Sequence, residues 1–266
     1  MTAALRLAAC QFSSSADWAA NLDRIGADAR TAADRGAQVA VFPEAAMGRF
    51  GSAAAAAGQP LDGPFADGVR AVAEQTGLLI VAGMFTPCGD GRVHNTLLVT
   101  GAGVETRYDK IHLFDAFGSR ESDTVAPGDA LVTVDAFGTT FGLATCFDLR
   151  FAAQFTELGR RGAEVLLVPA SWGEGPGKAE QWDLLVRARA TDAQAWLLAC
   201  DQAWTPLSGT DPLGIGRSAC IDPLGGVRAR LAAGEGILIA DVEPSLAADV
   251  RARVPVLAQP GSKDRG

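Results

Sequence analysis

Short apolar segments recur along most of this chain, and they limit its fold more than any other feature of the sequence. Apolar runs of this length, bounded by turn residues, are typical of strands buried on both faces in layered α/β proteins. Segments with helical spacing follow several of them, and Asp17 is placed to cap the first such helix. The clearest strand candidates are Leu5–Phe12, Gln38–Phe42, Leu78–Gly83, Val165–Val168 and Trp196–Cys200.

Hairpins interrupt this alternation of strand and helix. Asn95–Thr100 and Val104–Asp109 are predicted to be strands joined by the turn at 101–103. A simple doubly wound sheet does not accommodate this order of elements. The sequence therefore predicts an α/β fold in which two mixed sheets pack together and helices cover their outer faces. We interpret residues 1–245 as one domain and residues 246–266 as a tail.

Charge and cysteine content exclude several classes of protein. The 266 residues include 31 acidic and 23 basic ones, and the resulting net charge of −8 argues against a nucleic-acid partner. No apolar run approaches the ~20 residues that cross a membrane, and no signal peptide is recognisable at the amino terminus. Five cysteines without a CxxC pair predict reduced thiols in a cytoplasmic protein. With two histidines and no dinucleotide fingerprint, we expect neither a metal nor an organic cofactor.

Cys146 is the candidate nucleophile. It ends the apolar run Phe141–Thr145, at a point where a helix is predicted to begin. Free backbone N–H groups and the helix dipole at such a turn favour the thiolate, and the N–H of Phe147 is placed to hold an oxyanion. The alternative is an inert buried cysteine, a description that fits Cys10 and Cys200 better because they lie inside apolar strands.

Two charged residues also follow predicted strands. Glu44 comes after the second strand, where a partly buried carboxylate can shuttle a proton; the alternative is a loop glutamate in solvent. Lys110 closes Val104–Asp109 and is one of three lysines against twenty arginines, which suggests a need for a compact ammonium; the alternative is a surface lysine. A base, a cation and a thiol at three strand ends are what covalent acyl transfer requires.

A second lysine, Lys178, follows Gly177 as in the end of a phosphate-binding loop. However, Trp172 and Ala179 stand where such a loop needs glycine and serine or threonine. The sequence therefore predicts no phosphate site at this position.

Several segments, taken in order, resemble the nitrilase superfamily of carbon–nitrogen hydrolases. The three that carry the resemblance are Phe42–Glu44, Tyr108–Asp115 and Thr145–Phe151. Further matching segments are Glu121–Ser122, Pro127–Gly128, Trp182–Ala190, Gly216–Ser218 and Asp222–Gly225. The resemblance runs from about Leu5 to Val242, which is nearly the whole chain.

The resemblance implies a four-layer α-β-β-α sandwich and a Glu-Lys-Cys triad at Glu44, Lys110 and Cys146. It also implies a second glutamate at Glu121, near the lysine and the substrate, although its spacing from Lys110 is shorter than in many close relatives. The motif at Thr145–Phe151 is similar to that of amidases of the deaminated-glutathione and ω-amidase kind. A small-molecule amide substrate and a homodimer with the tail at its interface follow as expectations.

Two further residues and several functions stay open. Arg150 could bind a carboxylate of the substrate or pair with Asp148, and Trp172 could line the pocket or pack in the core. Besides an amidase, the sequence allows a nitrilase acting on nitriles, an acyltransferase, or a catalytically silent binding module. A thiol–histidine enzyme is disfavoured because neither histidine lies in a matching motif.

Overall fold

Two six-stranded sheets form the centre of the molecule. The structure is a computed structural model that describes residues 4–50, 58–205 and 214–259. The strand order is β12-β1-β2-β3-β4-β5 in the first sheet and β11-β10-β9-β8-β7-β6 in the second. The strands are β1 Leu5–Gln11, β2 Val39–Val41, β3 Leu79–Pro87, β4 Val93–Gly101, β5 Val104–Asp109, β6 Thr133–Ala136, β7 Thr139–Leu143, β8 Val165–Ala170, β9 Trp196–Asp201, β10 Ala219–Ile221, β11 Val227–Arg230 and β12 Gly236–Val242.

Each sheet is mixed, as the hairpins of the sequence predicted. In the first sheet β1, β2 and β3 are parallel, and β4, β5 and β12 are antiparallel to their neighbours. In the second sheet β7, β8 and β9 are parallel, with antiparallel strands on both sides. The parallel strands place their carboxyl ends at a shared edge of each sheet, where α/β proteins build their sites.

Helices cover the outer face of each sheet. Within the described residues they are α1 Trp18–Asp34, α2 Pro64–Thr76, α3 Ala152–Arg160, α4 Lys178–Ala193 and α5 Ser245–Arg253. Asp17 caps α1 as predicted, because its carboxylate accepts the N–H groups of Ala19 and Ala20 at 2.9 and 3.3 Å. No helix in the described part of the chain is long and apolar enough to cross a membrane.

Three apolar layers hold the four structural layers together. Side chains such as Leu7, Val41 and Leu167 fill the space between the two sheets. Ile25 and Val69 pack against the first sheet, and Phe155 and Trp182 against the second, so both outer helix layers are anchored. Each fully buried side chain of this size contributes about 1.5–3 kcal/mol. The predicted α-β-β-α sandwich is confirmed.

Some predicted boundaries are wrong. The strand predicted to end at Cys146 ends at Leu143. The helix expected at this turn is present as a short 3-10 helix, Cys146–Arg150. Helix α2 was not predicted, because Gly63 supplies no side-chain cap and Gly68 interrupts its centre. Helix α5 was also not predicted and spans the start of the expected tail; residues 260–266 of that tail lie outside the described residues.

Candidate active site

Polar side chains from both sheets converge at the ends of their strands. Glu44 follows β2, Lys110 directly follows β5, and Cys146 lies three residues after β7. All three are buried, with exposed fractions of 1%, 2% and 7%. Since a charged group is buried only when it is paired, the contacts among these residues decide what the site can do.

Lys110 lies between two carboxylates. Its Nζ is 2.9 Å from Glu44 Oε1, 2.9 Å from Glu121 Oε2 and 3.1 Å from Glu121 Oε1. Burial by itself would lower the pKa of Lys110, but the negative charges of Glu44 and Glu121 outweigh it and raise the pKa well above its usual range. The ammonium is therefore permanently charged at this site.

Asn95, in β4, joins the same cluster and was not predicted from the sequence. Its Nδ2 donates to Glu44 Oε1 at 2.7 Å and to Glu121 Oε1 at 3.1 Å, so it holds the two carboxylates together. The residue is fully buried. The available signal was an amide in a predicted strand, because a buried amide is costly unless its hydrogen bonds are satisfied.

The backbone fixes the position of Glu44. The N–H of Ser171 donates to Glu44 Oε2 at 2.8 Å, and the side chain of Gln202 donates to the Glu44 carbonyl at 2.9 Å. Gly83 of β3 allows this segment to approach, because a Cβ there would lie 2.4 Å from the nitrogen of Ala45. The side chain and the main chain of Glu44 are thus each held by a hydrogen bond from another segment.

Glu121 lies in a second short 3-10 helix, Glu121–Asp123. The N–H of Phe114 donates to its Oε2 at 2.6 Å, so the loop between these residues folds back on the carboxylate. Despite the short spacing in sequence, the structure places Glu121 beside Lys110 as the family resemblance implied.

Cys146 adopts a left-handed backbone conformation, with φ of 45°. Such a conformation costs a non-glycine residue on the order of 1–3 kcal/mol and persists only where neighbouring structure imposes it. Asp148 supplies that restraint: it accepts the Thr145 N–H at 2.8 Å, the Tyr108 hydroxyl at 2.6 Å and His112 Nδ1 at 2.8 Å. The strained turn places the sulfur close enough to Glu44 for the carboxylate charge to raise the pKa of the thiol.

The protonation expected for Cys146 needs correction. The strand-to-helix turn was expected to favour the thiolate, but burial and the charge of Glu44 raise the pKa of the thiol well above its usual range. Lys110 and the Ser171 N–H lower the pKa of the thiol, but by less than burial and Glu44 raise it. The resting group is therefore a thiol beside a carboxylate that can take its proton.

Phe147, Arg150 and Trp172 form a wall beside this cluster. The Arg150 guanidinium carbon lies 4.9 Å from the Trp172 ring centroid and 5.6 Å from that of Phe147. Arg150 does not pair with Asp148; it donates to Gln181 Oε1 at 2.7 Å instead. Trp172 packs against Trp182, with their ring centroids 5.6 Å apart, and it also contacts Arg150.

Metal binding has no support in the described ranges. No group of three His, Cys, Asp or Glu side chains there is arranged to hold a metal ion. His112, which bonds Asp148 and stacks on Phe151 at 3.6 Å, restrains the turn from outside.

The chain matches known proteins along almost its entire length. The carbon–nitrogen hydrolase family model matches residues 6–252. A hydrolase of Mycobacterium tuberculosis is 46% identical over 95% of this chain and 94% of its own length. The deaminated glutathione amidase of Escherichia coli O157:H7 is 32% identical, over 94% of this chain and 95% of its own.

A solved structure shares the fold. A CN-hydrolase superfamily protein of Xanthomonas campestris, which carries an arsenic adduct in its active site, is 26% identical and superposes with a TM-score of 0.86 over 98% of both chains. Because the family model covers nearly the whole sequence and a relative is 46% identical, this chain belongs to the carbon–nitrogen hydrolase family.

Proposed function

We propose that this chain is a cysteine-dependent amidase that hydrolyses a linear, non-peptide amide to an acid and ammonia through a thioester on Cys146. One observation carries the proposal: a thiol, a carboxylate and a fully buried ammonium meet in a single cluster. A nucleophile next to a base, with a fixed cation beside them, is the arrangement that covalent acyl transfer needs.

Acylation begins with the Cys146 thiol beside the Glu44 carboxylate. Glu44 takes the thiol proton as the sulfur attacks the amide carbon, so little free thiolate accumulates. Lys110 Nζ and the backbone N–H of Phe147 hold the developing oxyanion, each donor being worth ~10²–10³ in rate. The tetrahedral intermediate collapses with the amide nitrogen taking the proton from Glu44, and ammonia leaves.

Deacylation reverses the same proton path with water. Glu44, again a carboxylate, takes a proton from a water molecule whose oxygen attacks the thioester carbon. The carbon–sulfur bond breaks, the sulfur recovers the proton, and the acid is released. Protein, substrate and water supply every proton and electron pair in this scheme, so it calls for no metal or organic cofactor.

Glu121 serves the scheme through Lys110. By contacting Nζ with both oxygens it keeps the ammonium charged and directed at the reaction centre. Arg150 contacts Trp172 and also Phe147, the residue after the nucleophile. We assign Arg150 to a substrate carboxylate because Asp148, its other candidate partner, is fully occupied. The similarity to an amidase acting on deaminated glutathione supports a small amide of this kind.

Ammonia release from a panel of amides and nitriles tests this function. The protein should release ammonia from at least one linear amide, and Cys146→Ala should abolish that release. Cys88→Ala, at a half-buried cysteine that bonds Asp90, is the matched control and should keep full activity. Consumption of nitriles without amide hydrolysis would make it a nitrilase, and no turnover of either class would favour the binding module.

We also propose a cytoplasmic homodimer, with the segment after α5 at its interface. Val254 and Val256 expose about half of their surface there, at 48% and 54%, and apolar side chains exposed together favour a covered surface. The five cysteines are free thiols, in keeping with a reducing compartment. Light scattering after size exclusion should give twice the chain mass, and a monomer that retains activity would reject the dimer.

A further inference from the structure

Asp201, the last residue of β9, is a fully buried carboxylate that the reaction scheme above does not use. Its Oδ1 accepts the N–H of Trp172 at 2.7 Å, and its Oδ2 accepts the N–H of Ile215 at 2.9 Å. Its own N–H donates to the Ser218 hydroxyl at 3.0 Å. A buried carboxylate is costly unless it is hydrogen-bonded, and these contacts use both of its oxygens. Asp201 is therefore fixed in place and holds two other segments of the chain.

The bond to Trp172 extends the contact between β8 and β9 beyond the end of their ladder. The two strands are parallel and pair as far as Ala170 and Asp201, and the Gln202 N–H donates to the Ala170 carbonyl at 3.0 Å. Since β8 ends at Ala170, Ser171 and Trp172 lie outside the ladder. The side chain of Asp201 accepts the Trp172 N–H in place of a backbone carbonyl. Asp201 thus sets the path of the chain after β8.

Ser171 is the residue between these two fixed points, and its N–H points at the reacting groups. It donates to Glu44 Oε2 at 2.8 Å. The same N–H lowers the pKa of the Cys146 thiol. Because the peptides before and after Ser171 are both held, its N–H cannot turn away from Glu44 unless the bond to Asp201 breaks.

Asp201 also lies close to the catalytic carboxylate. Burial raises the pKa of Asp201 well above its usual range; the N–H groups of Trp172 and Ile215 lower it, and the charge of Glu44 raises it further. Gln202, the next residue along the chain, donates to the Glu44 carbonyl at 2.9 Å. The end of β9 therefore holds the main chain of Glu44 directly and its side chain through Ser171.

We propose that Asp201 is a positioning residue, which keeps the Ser171 N–H on the Glu44 carboxylate beside Cys146 by holding the N–H of Trp172. This inference rests on the proposed amidase function, in which Glu44 takes and returns the proton. Asp201 acts through a backbone segment and not on the substrate. Its loss should therefore slow the chemical step and leave substrate binding nearly unchanged.

Steady-state rates of two substitutions test this role. Asp201→Ala removes both acceptors and should lower kcat about 10- to 100-fold while KM changes less than about threefold, as expected for a displaced catalytic group. Asp201→Asn keeps one oxygen for two N–H groups and should lower kcat by about 3- to 10-fold, the effect of one hydrogen bond. If Asp201→Ala does not fold, Asp201→Asn decides: a native kcat in that protein would overturn the inference.

Asp222→Ala is the matched control. Asp222 is also a buried carboxylate that accepts two backbone N–H groups, those of Leu224 and Gly226 at 2.8 and 2.9 Å. It follows β10, whose last residue pairs with Leu197 near the amino end of β9, so it lies at the edge opposite Asp201. Both Ala variants should lose stability in urea, but only Asp201→Ala should lose kcat. A comparable fall of kcat in Asp222→Ala would show that the rate merely follows stability.

Alkylation of Cys146 by iodoacetamide needs no substrate, so it separates this inference from the amidase proposal. The substitution leaves in place the charged side chains around the sulfur, which are Glu44, Lys110, Glu121 and Lys178. Asp201→Ala should move the pH curve of alkylation to higher pH, because the Ser171 N–H that lowers the thiol pKa is no longer held. Asp201→Asn should move it in the same direction by less. A curve that stays in place or moves to lower pH would overturn the inference, whether or not any amide is hydrolysed.

Discussion

Two lysines near Cys146 lie in opposite electrostatic settings. Lys110 is fully buried and touches the carboxylates of Glu44 and Glu121, which raise its pKa. Lys178 is half-buried, touches only ring faces and a backbone segment, and has its pKa lowered by burial first of all. One cation has its full set of anionic partners and the other has none among the described residues.

The difference separates a buried ion-paired lysine from a lysine that has no anionic partner among the described residues. A buried ion pair with additional hydrogen bonds is a fixed structural unit, and removing one partner leaves uncompensated charge behind. Removing a cation that only aromatic faces hold costs the protein little stability. Such a cation gains a strong partner when a carboxylate binds. Lys110 therefore belongs to a fixed ion-paired cluster, whereas Lys178 has no ion pair among the described residues.

The largest expected effect is on stability. Lys110→Met should lower the free energy of unfolding by about 3–5 kcal/mol at pH 7, because Glu44 and Glu121 stay buried without their cation. Lys178→Met should change it by no more than about 0.5 kcal/mol, as for a side chain outside any ion pair. Urea unfolding of both variants checks this contrast, and equal losses would erase the distinction between the two lysines.

The next effect tests whether the close approach of the backbone at Gly83 fixes the position of Glu44. Gly83→Ala should cost about 1–3 kcal/mol and reduce kcat, because its Cβ would lie 2.4 Å from the nitrogen of Ala45 and displace Glu44. Gly48→Ala, where the added Cβ meets nothing within 4 Å, is the control. Thermal unfolding and steady-state rates report both quantities; a Gly83→Ala protein with normal kcat would mean that Glu44 tolerates displacement.

Arginine substitution compares the shape that each lysine position requires. Lys110→Arg preserves charge but places a planar fork where a compact ammonium contacts two carboxylates, so we expect kcat to fall at least about tenfold. The same change at Lys178 should cost less, because no carboxylate among the described residues depends on that ammonium. Parallel rate measurements on the two variants decide the matter, and an unimpaired Lys110→Arg protein would remove the steric argument.

The smallest effect concerns the pH at which Cys146 reacts. Its thiol pKa is raised by burial and by the charge of Glu44, against the influence of Lys110, so alkylation by iodoacetamide should keep accelerating above neutral pH. Peptide mass spectrometry can follow Cys146 alone.

Glu44→Gln sharpens this titration. The substitution removes the negative charge that helps to raise the thiol pKa, so the alkylation curve should move to lower pH while amide turnover falls. A curve that is already flat at neutral pH in the native protein would show that the resting group is a thiolate after all.

The sheets and the reacting residues could largely be predicted from the sequence. Buried strands are continuous apolar runs, and a charged residue placed directly after such a run stands out, as Glu44 and Lys110 do. Helix α2 was missed although Phe65, Val69 and Val72 form its buried face, because Gly63 and Gly68 weaken the helix signal. Local patterns thus identify buried strands better than helices that begin without a polar cap.

The contacts between distant segments could not be predicted in this way. Asn95 stands between His94 and Thr96 in β4, and only the register of β4 against its neighbours places it between two carboxylates. Lys178 shared the rarity that singled out Lys110, yet its aromatic surroundings come from Phe114 and Trp172, which are far from each other in sequence. The rarity of lysine singled out Lys178, but only tertiary packing shows which groups surround it.

The central claim is a thioester on Cys146, and partitioning by hydroxylamine tests it most directly. An amide and the methyl ester of the same acid are hydrolysed with hydroxylamine present, and the ratio of hydroxamate to free acid is measured for each. A common acyl-enzyme predicts the same ratio from both substrates at every hydroxylamine concentration, because ammonia or methanol has left before the product is decided. A ratio that depends on the leaving group would contradict the thioester account.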